Sequence, residues 1–146
     1  VRSMIDVTEA IYRNAPVQTR FGSLPSGSAE VNGEMLQTLC RLYGITGDGK
    51  YLQWAERIGD AYCFEVLKLN SGLPAHTWDF SAHEGTDFLN LRDHGCEIIG
   101  GLALLFCIET DEARPRAQSY YWPIKQMLDR LSQTVNEDGQ LPNRIR

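Results

Sequence analysis

The residues best suited to chemistry are concentrated in one segment, 75–97, which lies in the middle of the chain. All three histidines of the protein lie within it. So do a tryptophan and several carboxylates. These residues are His76, Trp78, Asp79, His83, Glu84, Asp87, Asp93, His94 and Glu97. Long connections with this content usually carry function rather than merely join two elements. We therefore expect any site to include this segment.

Carbohydrate chemistry fits this composition best. Carboxylates can bind sugar hydroxyls or act as general acid and base on a glycosidic bond. Glu97 is the leading acid/base candidate, because Asp93 and His94 precede it by about one helical turn. An aromatic face such as Trp78 can stack on a pyranose. We therefore predict a sugar subsite that contains His76, Trp78, Asp79, His83 and Glu34.

The simplest role of the two repeated carboxylates is electrostatic. Glu34 and Glu97 are both expected on the first turn of a helix, where negative charge complements the helix macrodipole. This interpretation is favoured for Glu34. For Glu97 the sequence leaves the choice between that role and catalysis open, because of its acidic and imidazole neighbours.

Metal and thiol chemistry have weaker support. Three histidines with Asp79 or Glu97 could supply metal ligands, but their spacing matches no zinc signature, and hydrogen-bonded loop histidines are the favoured interpretation. We predict no metal and no cofactor. Cys96 near His94 is a candidate nucleophile at a helix N-terminus, although adjacency in sequence does not establish contact.

An internal repeat predicts the elements that position these residues. A shift of 63 residues aligns segment 34–48 with segment 97–111 without a gap, and the apolar matches recur at steps of three and four. A shift of 62 residues aligns two further apolar stripes, each at helical spacing. The first stripe is Ala55, Ile58, Tyr62, Val66 and Leu69, and the second is Ala117, Tyr120, Ile124, Leu128 and Leu131. Both pairs of segments have the period of helix faces.

The repeat predicts an all-α domain over 1–146 that is built from antiparallel helical hairpins. We expect hairpins at 30–69 and 94–135, a trailing second helix at 3–15, and a long loop at 75–93 on the site side. The chain would hold about two and a half hairpins of a partial (α/α) toroid.

The predicted turns have recognisable caps. Gly47 can end the first helix in the left-handed conformation, and Asp48 can cap the next helix. Thr110 and Asp111 can cap the last helix, for which Pro115 suits the first turn.

Composition narrows the partners. The net charge is −5, and the 14 Lys and Arg residues are scattered, which argues against nucleic acid. No apolar run approaches the roughly 20 residues that span a bilayer, and the stretch 98–108 is expected to be a buried helix. Cys40, Cys63 and Cys107 are expected to be buried, and Trp54 and Trp122 to be packing residues.

The N-terminal sequence and the small number of hairpins lead to expectations about localisation and assembly. No signal peptide is recognisable and no Met stands at position 1, so the chain could begin within a longer protein, and its localisation is left open. An array this short leaves its end faces uncovered. We therefore expect either the remainder of a longer chain or self-association.

Two motifs resemble the six-hairpin glycosidase superfamily, whose members are (α/α) toroids. The stretch Leu42-Tyr43-Gly44-Ile45-Thr46-Gly47-Asp48-Gly49-Lys50-Tyr51-Leu52 resembles the recurrent hairpin pattern of β-L-arabinofuranosidase-like and unsaturated-uronyl-hydrolase-like proteins. The stretch Asp93-His94-Gly95-Cys96-Glu97-Ile98-Ile99-Gly100-Gly101-Leu102 resembles the start of an inner helix, and is distantly similar to N-acylglucosamine 2-epimerases. The resemblance implies an inner ring of first helices, with substrate in the cavity at their N-termini.

Three functions follow as expectations. The first is a fragment of a carbohydrate-active enzyme, a glycoside hydrolase that acts on a poly- or oligosaccharide. The second is a polysaccharide lyase or sugar epimerase of the same fold, with His94 or His83 as the base. The third is a non-catalytic helical-repeat binding module.

Overall fold

The computed structural model describes residues 2–92 and 94–146, and the chain is mostly helical, as the sequence predicts. The helices are α1 (Arg2–Arg13), α2 (Ala29–Thr46), α3 (Gly49–Ala61), α4 (Leu67–Leu69), α5 (Glu97–Asp111) and α6 (Pro115–Ser132). A π-helical turn, Tyr62–Val66, joins α3 to α4. Predicted helical segments at 3–15, 30–69 and 94–135 therefore contain helices, although their ends differ by a few residues.

The connections hold short antiparallel strand pairs that the sequence analysis did not predict. These are β1 (Val17–Thr19) with β2 (Gly22–Leu24), β3 (Trp78–Asp79) with β4 (Glu84–Gly85), and β5 (Leu89–Asn90) with β6 (Arg144–Ile145). Each strand has only two or three residues, which is too short to give a readable alternation of apolar and polar positions.

The turn between α2 and α3 forms as predicted. Gly47 has φ +67°, and its N–H donates to the carbonyl of Tyr43 at 2.8 Å. The side chain of Asp48 accepts a hydrogen bond from the backbone N–H of Lys50 at 3.0 Å. The sequence alone predicted this turn because each of the two capping interactions involves residues within about one helical turn of each other.

The turn between α5 and α6 differs from the prediction. Pro115 is the first residue of α6, as expected. The predicted capping by Thr110 and Asp111 is wrong, because both residues belong to α5, and the Thr110 hydroxyl donates to the carbonyl of Phe106. Arg114 precedes α6 and provides no side-chain cap.

Helices α2 and α5 approach closely through glycines. A Cβ atom added to Gly33 would lie 2.7 Å from the Cα atom of Ile98, and one added to Gly101 would lie 3.2 Å from the carbonyl oxygen of Gly33. A larger side chain at Gly33 would therefore force the helix backbones apart. Around this contact the core is fully buried, and it includes Leu36, Leu39, Ile58, Leu102 and Leu105.

The second helices pack beside one another. The ring of Tyr12 in α1 stacks on Trp54 in α3 with centroids 4.7 Å apart, and the Tyr12 hydroxyl donates to the Trp54 carbonyl at 2.7 Å. Trp54 is thus a packing residue, as predicted. The same prediction for Trp122 is wrong, because Trp122 is 69% exposed. Cys40 and Cys63 are buried as expected, whereas Cys107 is exposed.

The predicted equivalence of the second helices fails near their C-terminal ends. Val66 is fully buried but its partner Leu128 is 46% exposed, while Leu69 is 56% exposed and its partner Leu131 is buried. A π-helical turn widens the helix by one residue and rotates the next turn about the helix axis. The π-helical turn occurs in the first hairpin, at Tyr62–Val66, whereas α6 is α-helical throughout. In the part of the chain that the structure describes, no helix is long and apolar enough to cross a membrane.

Candidate functional site

The long loop lies against the N-terminal end of α2. The backbone N–H of Ala29 donates to the carbonyl of His76 at 3.0 Å, and the N–H of Trp78 donates to the carbonyl of Gly27 at 2.8 Å. A Cβ atom at Gly27 would lie 2.6 Å from the Trp78 oxygen, so this contact requires glycine. We call the N-termini of α2 and α5 together with segment 75–92 the rim.

A carboxylate and an imidazole meet at the rim. The Nδ1 atom of His94 lies 3.1 Å from Oε1 of Glu30, which is in the first turn of α2. The His94 side chain is 64% exposed and that of Glu30 is 32% exposed, so both can reach a dissolved molecule. The carboxylate orients the imidazole ring, and an oriented imidazole is a group that can exchange a proton with a bound ligand.

Glu97 is the first residue of α5, as the sequence predicted. Its Oε2 atom accepts a hydrogen bond from the backbone N–H of Gly95 at 2.5 Å. Gly95 has φ +139°, and a Cβ atom there would collide with the carbonyl of Asn90. The Glu97 carbonyl accepts from the side chain of Gln37 at 3.0 Å, which ties α5 to α2. The partly exposed Glu97 side chain is therefore held at the N-terminus of α5, and His94, three residues earlier in the chain, contacts Glu30.

The two other carboxylates predicted for this site, Asp93 and Glu34, are not found at the rim among the described residues. Asp93 lies outside the described residues. Glu34 was expected on the first turn of its helix, but α2 begins at Ala29, so Glu34 lies one turn further along. It is exposed and lines a groove between α1 and α2. Glu34 and Glu97 are therefore not equivalent in position, although the sequence aligns them. Glu30, which the sequence analysis did not single out, is the carboxylate of α2 that meets the rim.

A second, buried carboxylate lies under the loop. The side chain of Glu65 in the π-helical turn is 3% exposed. Its Oε1 atom accepts from Nε1 of Trp78 at 3.1 Å and lies 3.0 Å from Nδ1 of His83, while Nε of Arg20 is 3.7 Å from Oε2. Sequence analysis did not identify Glu65. One signal was available: Glu65 is an acidic residue next to the apolar stripe of its helix, and the shift of 62 residues aligns it with Met127, which is buried.

The predicted stacking platform is not available. Trp78 and Phe80 are each only 5% exposed, so neither ring presents a face to solvent. The assignment of Trp78 to a sugar-stacking surface is therefore wrong in this conformation, because the buried Glu65 carboxylate holds its indole N–H inside. Trp78 instead fixes the loop to the helices.

Asp79 and His76 have structural partners. Oδ1 of Asp79 accepts from the backbone N–H groups of Ser81 and Ala82, and these bonds hold the pKa of the exposed Asp79 carboxyl below its usual range. This turn leads to His83, which has φ +56°. The ring of His76 stacks on Phe88, and its buried Nδ1 atom has no hydrogen-bond partner among the described residues.

Among the predicted site residues, the described structure thus places His94 and Glu97 at the rim, where His94 contacts Glu30. Trp78 and His83, which belong to the loop, both contact the Glu65 carboxylate beneath it. Within residues 2–92 and 94–146, no three His, Cys, Asp or Glu side chains form a group that could hold a metal ion. The Nδ1 atom of His94 faces Glu30, so this nitrogen is not directed at the exposed Cys96.

A third acidic cluster lies at the other end of the helices, near the short turn between α5 and α6, which we call the turn end. Arg114 bonds to Glu56 at 2.6 Å and to Glu109 at 3.2 Å. Arg116 pairs with Asp60 at 3.0 Å, and the hydroxyl of Tyr120 donates to Asp60. These contacts join α3 to the start of α6.

Burial raises the pKa of Glu109 to about 7, and the neighbouring Glu56 carboxylate adds to the effect. Burial together with the bond to Asp60 also raises the pKa of the Tyr120 hydroxyl. These shifts come from a closed ion-pair network between helices rather than from an accessible cavity.

Comparison with known proteins gives no match: no protein-family model, curated protein or solved structure is similar to the chain. Function must therefore be argued from the geometry of the rim and from the resemblance of the sequence motifs.

Proposed function

We propose that this chain is the site-bearing part of a carbohydrate-active (α/α) toroid, and that it is a glycoside hydrolase acting on a poly- or oligosaccharide. The observation that carries the proposal is the pair of carboxylates, Glu30 and Glu97, which stand at the N-termini of two adjacent first helices with His94 beside them. Most glycoside hydrolases use two carboxyl groups that flank the scissile bond.

Position favours Glu97 as the group that exchanges a proton with the glycosidic oxygen. Its Oε2 atom accepts the Gly95 N–H, which fixes the side chain at the start of α5. A carboxyl group that the backbone already holds in place can meet a ligand without rearranging its support.

The second carboxylate would be Glu30, with His94 as the orienting group. Because the imidazole lies 3.1 Å from Glu30, it can hold that carboxylate toward the space in front of α5. The free N–H groups of the two helix N-termini add donors for sugar hydroxyls or uronate groups. Exposed Asp79 on the adjoining loop is a further hydroxyl-binding candidate.

The experiment is a reducing-sugar assay on a panel of neutral and uronate oligosaccharides. It compares the full chain with Glu97→Gln, because a glutamine at this position can still accept the Gly95 N–H. We expect turnover to fall by roughly 100-fold or more in this variant, as loss of a general acid/base implies. Glu137→Gln, the same change at an exposed glutamate beyond α6, is the matched control and should keep full activity.

A result in which Glu97→Gln turns over its best substrate as fast as the unchanged chain removes Glu97 from the mechanism. Hydrolysis lost in Glu30→Gln but kept in Glu97→Gln reverses the assignment of the acid/base group. If no oligosaccharide in the panel is hydrolysed or bound, the carbohydrate proposal itself fails, and the non-catalytic repeat module is then favoured.

A lyase or epimerase is the second candidate, and the Glu30–His94 contact favours it. An imidazole oriented by a carboxylate is well suited to take a proton from a carbon atom next to a carbonyl or carboxylate group. Product analysis separates the two reactions. A lyase produces an unsaturated, ultraviolet-absorbing uronic acid, an epimerase produces an isomer of unchanged mass, and a hydrolase adds one water molecule.

A further inference from the structure

A cavity of about 470 Å³ lies between the end of the first hairpin and α6. Phe64 from the π-helical turn, Leu67 and Lys68 from α4, and Ser71 form one wall. The volume falls within the range of roughly 300–1,000 Å³ that is typical of small-molecule sites. The described residues that line this cavity include none of the rim, so it is a separate surface, which we call the α6 cavity.

The opposite wall is one face of α6. Ser119, Trp122, Pro123 and Gln126 follow the spacing of three and four residues that places side chains on the same side of a helix. Trp122 is 69% exposed, although a folded chain usually covers most of a tryptophan. A large aromatic side chain that remains exposed in the wall of a cavity is typical of a ligand-binding surface.

Two cationic side chains line the α6 cavity, Arg20 and Lys68. The whole chain has a net charge of −5, yet none of the described residues that line the cavity is acidic. A terminal nitrogen of Arg20 donates to the carbonyl of Phe64 at 3.0 Å, which holds the guanidinium in place, while its side chain stays 61% exposed. Glu65 lies 3.7 Å from Nε of Arg20 and offsets part of its charge, so the exposed Lys68 is the stronger anion-binding group. A ligand group that meets these cations should be anionic.

Pro123 adds a hydrogen-bond acceptor to the cavity. Proline has no N–H, so the carbonyl of Ser119, four residues earlier in α6, lacks its usual helical donor. Ser119 and Pro123 both line the cavity. A carbonyl can only accept a hydrogen bond, and so can an ionised carboxylate. The ligand should therefore carry donors such as hydroxyl groups in addition to its negative charge.

We propose that the α6 cavity binds a saccharide that carries a carboxylate, as a uronate unit does. A pyranose ring stacks on Trp122, the carboxylate pairs with Lys68 and Arg20, and a hydroxyl donates to the Ser119 carbonyl. The combination of an aromatic face, cations and an unused acceptor carries the proposal, because a simple aromatic acid lacks hydroxyl donors and a neutral sugar lacks the charge. Binding here requires no reaction at the rim, so it does not rest on the hydrolysis proposed above.

The first test is a nitrogen-15 NMR titration of the full chain with trigalacturonate. The chain has three tryptophans, and the indole N–H signal of Trp122 is the one that disappears in Trp122→Ala. We expect saturable shifts of this signal and of the Gly72 backbone amide, which also lines the cavity. The absence of a shift at both positions overturns the proposal.

Two variants remove one recognition element each. Lys68→Gln should weaken binding by about tenfold, because it removes a charge-assisted hydrogen bond, and Trp122→Ala should weaken it at least as much. The Gly72 amide reports affinity in both variants. The matched controls are Lys125→Gln and Tyr121→Ala, since both residues are exposed on α6 but do not line the cavity, and they should bind like the unchanged chain. Variants that bind as tightly as these controls contradict the proposed contacts, provided that circular dichroism shows intact helices.

Three further arms distinguish the ligand and the site. The methyl ester of trigalacturonate keeps the sugar rings but loses the charge, so it should bind at least about tenfold more weakly. Equal binding of the ester contradicts the role of the two cations. Hexaglutamate has the charge without the rings, and saturation of the Trp122 signal at equal or lower concentrations of this peptide overturns the assignment to a saccharide. The Trp122 shifts should persist in Glu97→Gln; their loss means that they report binding at the rim and overturns a separate site.

Discussion

Glu65 beneath the rim and Glu109 at the turn end are both buried carboxylates, yet their surroundings differ. Glu65 is approached by donors from Trp78, His83 and Arg20, and the last two side chains are more than half exposed. Glu109 is fully buried, shares its space with Glu56, and leaves one oxygen without a partner among the described residues. Glu65 is therefore connected to solvent through two side chains, His83 and Arg20, that are themselves more than half exposed.

This difference suggests different roles for the two regions: the turn end holds the helices together, and the rim carries the accessible polar side chains. At the turn end, arginines bridge carboxylates of two helices, so the cluster resists separation of the hairpins. Beneath the rim, the buried Glu65 holds the loop through Trp78 and His83, while Glu30 and His94 remain partly exposed above it.

The largest expected effect is at the turn end. Replacing Arg114 with Met leaves the buried Glu109 without its cation, while Glu56 keeps Arg116 at 3.2 Å. Because the Arg114 side chain is itself partly exposed, we expect a cost at the lower end of the roughly 3–5 kcal/mol that losing one partner of a buried ion pair produces. Urea unfolding of the variant and the unchanged chain measures this. Arg13→Met, at an exposed pair with Glu9, is the control and should change the free energy of unfolding by less than about 1 kcal/mol.

The next effect is on pH dependence. The pKa of Glu109 is raised to about 7 in the folded chain, so the folded state binds its proton more tightly than the unfolded state does. The resulting stabilisation is complete below the unfolded pKa near 4.5 and is lost as the pH rises toward 7, at about 1.4 kcal/mol per pKa unit. Unfolding of Glu109→Gln should show a flatter pH profile over this range. An unchanged profile contradicts the assignment.

A smaller loss is expected at the rim. Trp78→Phe keeps the ring in the core but removes the donor to Glu65, which should cost about 1–3 kcal/mol. The same variant should loosen the loop, so hydrogen exchange at the amides of residues 77–86 should accelerate. Equal stability of variant and unchanged chain implies that His83 and Arg20 satisfy the carboxylate without the indole.

The smallest effect is expected at the exposed loop tip. Asp79→Ala removes the acceptor for the N–H groups of Ser81 and Ala82. Those two amides should exchange faster, while global stability changes little because the turn is exposed. Protection of these amides that is unchanged in the variant means that the strand pair β3–β4 alone holds the turn.

Local signals made the helices predictable from sequence. The apolar period sets α2, α3, α5 and α6, and Gly47 with Asp48 sets the first turn, because each signal acts within a few residues. Glu97 at the start of α5 followed from the same reasoning. The contacts that define the rim did not follow, since each joins distant parts of the chain.

Three features show why the remaining contacts of the rim could not be predicted from the sequence. The Glu30–His94 contact depends on how α2 and α5 pack. Burial of Trp78 depends on the π-helical turn, which presents Glu65 to it and which no local pattern indicated. The pairing of β5 with β6 joins Leu89–Asn90 to Arg144–Ile145, across the whole second hairpin.

The most direct test of a ligand site at the rim is a nitrogen-15 NMR titration of the full chain with neutral and uronate oligosaccharides. Saturable shifts are predicted at the backbone amides of Glu30, Gly95 and Glu97 and at the His94 imidazole, while the guanidinium groups of Arg114 and Arg116 stay unchanged. Shifts confined to the turn end, or no shift with any sugar of the panel, would contradict the assignment of the rim as a carbohydrate site.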